Sequence, residues 1–340
     1  MWSSTPPPSQ QLLEALKSSL PELSFSESNE VEAARFVASD AAQEYLNYYR
    51  INFSAELPNI HHQFGQFKAA GFTLACHIWR PSGAEQTNKV ANDNYKGTVW
   101  LQHGYTDHVG LCQHAIRRLL QEGYGVVSFD LPGHGLSDGA EASIQSFDQY
   151  RGVLAKSLSL AEGALPKPWN AVGQSTGCSV ILSLLGSHHI AQSFDRIVLL
   201  APLIRAKGWG GLRWVFYILR LFKQRLGRTF NPSSHDHEFL EFLAFRDPLQ
   251  TRYMPMAWLG AMDNWVKDFA AFEQDDKKLV IVQGDDDQTV DYRYNLKVIE
   301  SKFPNTKVHM IDGAGHQLIN ESANYREQCW SIVGKALQGE

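Results

Sequence analysis

The segment that most restricts the fold runs from Trp169 to Leu185. A short apolar run, Trp169–Gly173, leads into Gly173-Gln174-Ser175-Thr176-Gly177, and an apolar stretch, Cys178–Leu185, follows. A strand that must turn at once into a helix leaves no room for side chains beside the turn. Glycine at both flanks meets that demand, and the serine is presented above the end of the strand, at a helix N-terminus. The bare reading of such a serine is a helix N-cap. The strand before it and the helix after it favour a nucleophile elbow instead.

The rest of the chain repeats this grammar. Phe64–Ala69 and Phe72–Trp79 flank Ala70-Gly71 as a hairpin. Strands are then expected at Gly97–Gln102, Gly125–Asp130, Trp169–Gly173, Arg196–Ala201, Lys278–Gln283 and Lys307–Ile311. Helices are expected at Leu111–Glu122, Ile144–Glu162, Ser175–Leu185, Tyr292–Phe303 and Ala323–Leu337. Nearly all-apolar strands such as VVSFD and IVLLA belong in a parallel sheet covered on both faces. The expected class is α/β, with a mostly parallel central sheet flanked by helices. Residues 64–203 and 271–340 form its core. Residues 1–63 form an N-terminal extension with a loose tail over 1–8 and helices at Gln10–Leu20 and Glu30–Tyr49. The alternation lapses over 204–270, an aromatic-rich insertion expected to be a helical cap or lid before the acid-bearing strand.

A serine hydroxyl needs a base, and the base needs an acid to orient it. Both lie at C-terminal ends of predicted strands, where an open α/β sheet places its site. Strand LVIVQ runs into Gly284-Asp285-Asp286-Asp287, and the last strand runs into Asp312-Gly313-Ala314-Gly315-His316. His316 is the expected base and Asp287 the expected acid. Asp285, Asp286 and Asp291 are expected to solvate the loop or cap the next helix. The oxyanion of an acyl-transfer intermediate needs two N–H donors, expected from Thr176 and from Tyr105 in the loop after strand Gly97–Gln102.

Three further stretches give the chain a family likeness. His103-Gly104-Tyr105-Thr106-Asp107-His108 is similar to an H-G-x-x-E-H loop, with Asp in place of Glu. Asp130-Leu131-Pro132-Gly133-His134-Gly135-Leu136-Ser137-Asp138-Gly139 is similar to D-x-x-G-H-G-x-S-x-G, and Gly284 to Asp287 has the spacing G-x-x-D. The chain thereby resembles the α/β-hydrolase branch of monoacylglycerol lipases and bacterial lysophospholipases, grouped with serine aminopeptidases. The likeness covers about 64–339 and omits the cap and the N-terminal extension. It implies a serine esterase acting on single-chain acyl lipids, with no cofactor and no metal. A serine aminopeptidase remains an alternative, with Glu238, Glu241 or Asp263 gripping a substrate ammonium. A non-catalytic ligand-binding homologue is another.

Composition bounds the partners. A net charge of -5 gives no basic surface for nucleic acid. Cys76, Cys112, Cys178 and Cys329 have no metal-ligand spacing, and His108, His134, His235 and His237 lack suitable companions. Neither a leader nor a membrane span is read, so a cytoplasmic location is expected, with contact at the inner membrane face open. Seven basic residues and no acid lie between Arg205 and Arg228. Read as a helix, Gly208–Arg228 either lies on a lipid surface or covers an acyl pocket. The aromatics of Phe239–Trp265 suit a pocket wall or the cap's own packing. No oligomeric state follows.

Overall fold

A computed structural model describes residues 2, 5–23, 25, 30–81, 95–186, 193–230 and 232–340. The N-terminal extension forms three helices, α1 (Gln10–Ser19), α2 (Glu30–Val37) and α3 (Asp40–Tyr48). The single helix expected over Glu30–Tyr49 is therefore two. Ser39 interrupts it, its hydroxyl accepting from the Ala42 N–H as the N-cap of α3. Nor is the start of the chain a loose tail throughout. Trp2 is buried, with its ring 4.8 Å from Phe242 and 5.1 Å from Phe239, because an indole gains much by leaving water.

Strands β1 (Ile60–Ala69) and β2 (Phe72–Pro81) form the expected hairpin. Its two-residue loop has positive φ at both Ala70 (50°) and Gly71 (84°), the geometry that matches the twist of paired strands. The chain then alternates through β3 (Thr98–Gln102), α4 (Gln113–Gln121), β4 (Gly125–Phe129), α5 (Phe147–Ala161), β5 (Trp169–Gln174), α6 (Thr176–Leu185) and β6 (Arg196–Leu200). After β6 it leaves the sheet and forms α7 (Trp209–Leu219), β7 (Arg225–Gly227), α8 (His237–Glu241), β8 (Tyr253–Pro255) and α9 (Met256–Ala270). It rejoins through β9 (Val280–Gly284), α10 (Tyr292–Lys302), β10 (Lys307–Ile311) and α11 (Ala323–Gln338).

Among the described residues the main sheet has the order β1-β2-β4-β3-β5-β6-β9-β10. From β4 to β10 every pairing is parallel, and the β1–β2 hairpin joins antiparallel to β4. Alternate side chains feed two apolar cores. Trp100, Ala171, Ile197 and Leu199 face the side of α5 and α6, while Val99, Leu101, Val172, Val198 and Leu200 face that of α4 and α11. The N-terminal extension belongs to the second core through Leu13, Leu16, Tyr45 and Leu46. It also covers the free edge of β1: Leu23 N donates to Gln66 O at 2.7 Å, and Gln66 N to Pro21 O at 2.7 Å. Gly65 permits this approach, since a Cβ there would lie 2.4 Å from Pro21 O.

The excursion between β6 and β9 is not purely helical. The helix expected over Gly208–Arg228 ends at Leu219, because Arg225–Gly227 pairs antiparallel with Tyr253–Pro255. Lys223 thus lies beyond the helix. The aromatics of Phe239–Trp265 divide: Phe239, Phe242, Trp258 and Trp265 are buried, while Phe245 and Tyr253 are exposed.

Candidate active site

Ser175 sits between β5 and α6 at φ 55° and ψ −112°. A non-glycine residue held there costs about 1–3 kcal/mol, so the surroundings must enforce it. They do so from both sides. Ser175 N donates to Leu200 O at 2.8 Å, while its carbonyl accepts from Cys178 N at 3.0 Å and Leu203 N at 3.2 Å. A Cβ at Gly177 would lie 2.2 Å from Gln102 O, and one at Gly173 would lie 2.7 Å from Cys178 N. Both are backbone contacts that could not yield, so the turn closes only with glycine at each flank.

His316 lies in the loop after β10, and its carbonyl accepts from the side chain of Gln174, the neighbour of Ser175, at 2.8 Å. Gly315 N donates to the buried Glu321 carboxylate at 2.8 Å, and Gln317 N to Ser233 O at 2.8 Å. The imidazole Nδ1 meets Asp287 Oδ2 at 2.7 Å. The other Asp287 oxygen accepts from Thr289 N at 2.8 Å and Val290 N at 3.1 Å, and Gln283 Nε2 adds a bond of 3.1 Å to Oδ2. Burial pushes this carboxyl's pKa up, but the His316 charge, its hydrogen bond and the two N–H donors outweigh burial, and the net shift is down. An ionised Asp287 fixes the proton on Nδ1 and leaves Nε2 as the basic nitrogen. Among the described residues neither Nε2 nor Ser175 Oγ has a hydrogen-bond partner.

The neighbouring aspartates have other tasks. Asp285 accepts from Gly313 N at 2.7 Å, and the exposed Asp286 side chain accepts among the described residues only from the Gln288 amide at 3.0 Å. Asp291 caps α10 through Tyr294 N and pairs with Arg205 at 2.6 Å.

The loop after β3 is shaped by His103. Leu131 N donates to its Nε2 at 2.9 Å, so Nδ1 carries the proton and donates to Gly104 O at 2.8 Å. Burial lowers the pKa of this ring and keeps it neutral. A Cβ on Gly104 would lie 3.4 Å from Ser175 Cβ, so the loop passes against the serine. Neither Tyr105 N–H nor Thr176 N–H has an acceptor among the described residues, which leaves two backbone donors uncommitted beside Ser175. The Tyr105 ring stacks on Trp258 at 3.6 Å, and its hydroxyl donates to Ala142 O at 2.8 Å. Asp130 supports the loop from below, accepting from Val109 N at 2.7 Å and Leu136 N at 2.8 Å.

Other polar groups gather here that the sequence pattern did not single out as site residues. Asp107 is buried and accepts from Gln317 Nε2 at 2.9 Å through Oδ2, while its Oδ1 has no partner among the described residues. Burial raises its pKa. Arg228, on the excursion, donates to Gln250 Oε1 and to Thr251 O, and has no carboxylate within ion-pair distance among the described residues. Burial lowers its pKa, and the nearby Asp107 and Tyr105 act against that shift. His108 meets Asp247 at 3.1 Å in full burial. For each, burial disfavours charge but the partner prevails: the imidazole is raised and the carboxyl lowered, both in the direction of an ion pair. The Asp107 position carried a signal in its loop motif. Arg228 and Asp247 had none, because only the fold brings residues so distant in sequence to this loop.

His134 Nδ1 bonds Pro132 O at 2.9 Å and His235 bonds Glu321 at 2.9 Å. Among the described residues no group of three or more His, Cys, Asp or Glu could hold a metal ion.

Comparison with known proteins agrees with this architecture. A monoglyceride lipase of Rattus norvegicus is 25% identical over 152 residues, 44% of this chain and 44% of that protein. The Mus musculus monoglyceride lipase is 26% identical over the same shares. The chain thus matches less than half the length of these relatives. A soluble variant of the Saccharomyces cerevisiae monoglyceride lipase, solved with a substrate analog, superposes with a TM-score of 0.67 at 18% identity, covering 81% of this chain and 94% of that one. A monoacylglycerol lipase of Paleococcus ferrophilus does so with a TM-score of 0.59 at 18% identity, covering 72% and 95%. The sequence model of the family described as serine aminopeptidase, S33, matches residues 93–323, and these span β3, the Ser175 turn, Asp287 and His316. The chain has the α/β-hydrolase fold and belongs to the serine aminopeptidase S33 family.

Proposed function

We propose that the chain is a serine hydrolase that cleaves carboxylic esters of single-chain acyl lipids, monoacylglycerol or lysophospholipid, through an acyl-enzyme. The observation that carries this reading is the 2.7 Å contact between Asp287 and His316, set beside a strained serine turn with two uncommitted N–H donors. Ser175 Oγ attacks the acyl carbonyl while His316 Nε2 takes its proton, and Asp287 stabilises the imidazolium. Tyr105 N–H and Thr176 N–H bind the oxyanion. His316 returns the proton to the leaving alcohol, and water then hydrolyses the acyl-enzyme with the same base.

The polar side of the site favours an alcohol leaving group with further hydroxyls. Asp107 Oδ1, without a partner among the described residues, can accept a hydrogen bond from a hydroxyl, and Arg228 offers donors to an oxygen. The aminopeptidase reading is weaker. Its candidate Asp263 is taken up by Arg213 at 2.8 Å, Lys267 at 3.0 Å, Trp209 and Tyr217, and the Arg228 cation disfavours a substrate ammonium. The monoglyceride lipases it is similar to point the same way. Purified protein is expected to hydrolyse monoacylglycerol or lysophospholipid and short nitrophenyl esters, and to leave amino-acid anilides intact. Turnover of anilides alone would transfer the reading to a peptidase.

The excursion carrying α7 acts in this reading as a cap that meets lipid surfaces. Leu212, Trp214, Val215, Ile218, Leu221 and Phe222 are all exposed, Trp214 by 76% and Phe222 by 81%. Cations flank this face, which favours an anionic lipid surface over a cap whose apolar side is turned inward. No helix of the described residues is long and apolar enough to cross a membrane. All four cysteines are free and buried, in keeping with a reducing cytoplasmic setting and peripheral contact at the inner membrane face. Co-sedimentation with liposomes is expected to rise with anionic lipid content and to fall with salt, and Trp214→Ser with Phe222→Ser should weaken it about tenfold or more, given the apolar area removed. Binding indifferent to lipid charge and to both substitutions would count against the lipid-surface role.

A further inference from the structure

The C-terminal end of α3 reaches both the loop that carries the Tyr105 N–H and the root of the cap. Tyr49 Oη donates to Asp247 Oδ1 at 2.8 Å. Asp247 Oδ2 holds His108 Nε2 at 3.1 Å and also accepts from Gln250 Nε2 at 3.1 Å. The same Gln250 amide donates to Thr106 O at 3.0 Å. The loop between Tyr105 and Val109 is thus gripped at two points by one carboxylate and its amide neighbour. The Tyr49 ring stands edge-on to His108 at 4.8 Å and so close to Gly110 that a Cβ there would lie 2.7 Å from the ring. Next to it Tyr48 Oη donates to Arg246 O at 2.6 Å.

We infer that Tyr49 is a positioning residue for ester cleavage: its hydroxyl orients Asp247, which through His108 and Gln250 sets the backbone of the loop bearing the Tyr105 oxyanion donor. The N-terminal extension is by this account part of the rate-determining architecture and not only a covering for the core. A carboxylate has two oxygens and several rotamers. Oδ1 accepts from Tyr49 Oη and from Leu249 N at 3.1 Å, and Oδ2 from His108 and Gln250, so removing the Tyr49 hydroxyl leaves Oδ1 only a backbone donor and the carboxylate's orientation less well defined. The displacement reaches the Tyr105 N–H, and an oxyanion donor acts mainly on the transition state.

The inference rests on the proposed hydrolase reading, and the test separates the two. Helix α3 supplies a control, because Tyr45 is also buried and its hydroxyl has no partner among the described residues. Tyr45→Phe deletes a phenolic oxygen from α3, and Tyr49→Phe deletes one from the residue that caps its C-terminus. Tyr49→Phe is expected to lower kcat about five- to tenfold with KM within about twofold, a fraction of what the loss of a whole donor brings. Tyr45→Phe is expected to leave both unchanged. Asp247→Asn should lower kcat further, and adding Tyr49→Phe to it should bring little more, since both act through one carboxylate. A kcat within twofold of the parent in Tyr49→Phe, equal losses in the two tyrosine variants, additive losses in the double variant, or failure of Tyr49→Phe to fold would each overturn the inference. Absence of esterase activity in the parent would instead remove the hydrolase reading.

Discussion

Ser175→Ala is expected to retain the fold and lose turnover by at least about 10,000-fold, as measured by kcat on a nitrophenyl ester and on a monoacylglycerol. The fold survives because alanine carries the same Cβ as serine and adds no steric demand at φ 55° and ψ −112°. The strain is enforced by backbone bonds to Leu200, Cys178 and Leu203, none of which involves the hydroxyl. What disappears is the oxygen that forms the acyl bond. The N–H donors of Tyr105 and Thr176 remain, so a small rate above that of water is the expected residue. A melting temperature near the parent's would show that the loss is chemical. Activity equal to the parent would end the role assigned to Ser175.

Asp287→Asn is expected to lower kcat by about 10,000-fold through the wrong histidine tautomer, with little change in the fold. Thr289 N and Val290 N both donate to Oδ1, so an asparagine keeps its oxygen there. Its NH2 then occupies the Oδ2 position, where His316 Nδ1–H and the Gln283 amide also donate. Donor facing donor is relieved when the imidazole proton moves to Nε2, the atom that must receive the serine proton. Asp286→Asn is the comparison, since that exposed side chain bonds among the described residues only to Gln288, and it should leave kcat within about twofold. A large loss in Asp286→Asn with none in Asp287→Asn would move the acid to the other aspartate.

The expected fold class was legible because each core strand is short, apolar and ended by a turn signal. Lys307–Ile311 is observed with the bounds its pattern predicts, and Trp169–Gly173 is longer by one residue. The Ser175 turn was legible because sterics there admit only glycine at both flanks, which is a demand on sequence itself. Three things were not legible in the same way. A serine cap at position 39 divides one amphipathic pattern into two helices, and period alone does not register a cap. Residues 220–227 continue an apolar and basic pattern that suits a helix, yet the chain turns after Leu219 and Arg225–Gly227 pairs with Tyr253–Pro255 as a ribbon. The polar groups around Asp107 and His108 come from segments more than a hundred residues away, and no local pattern announces Arg228 or Asp247.

The strip of chain around Pro21 and Leu23 has a colloidal consequence. It occupies the backbone groups of Gln66 at the border of the sheet, beside the one glycine that lets it approach. Without that strip, the ten residues of β1 would form an outermost strand with idle N–H and C=O groups, a template on which a second molecule's border strand could add. The N-terminal segment thereby blunts this border at Gln66, where the border strand of another molecule would otherwise find a free N–H and C=O.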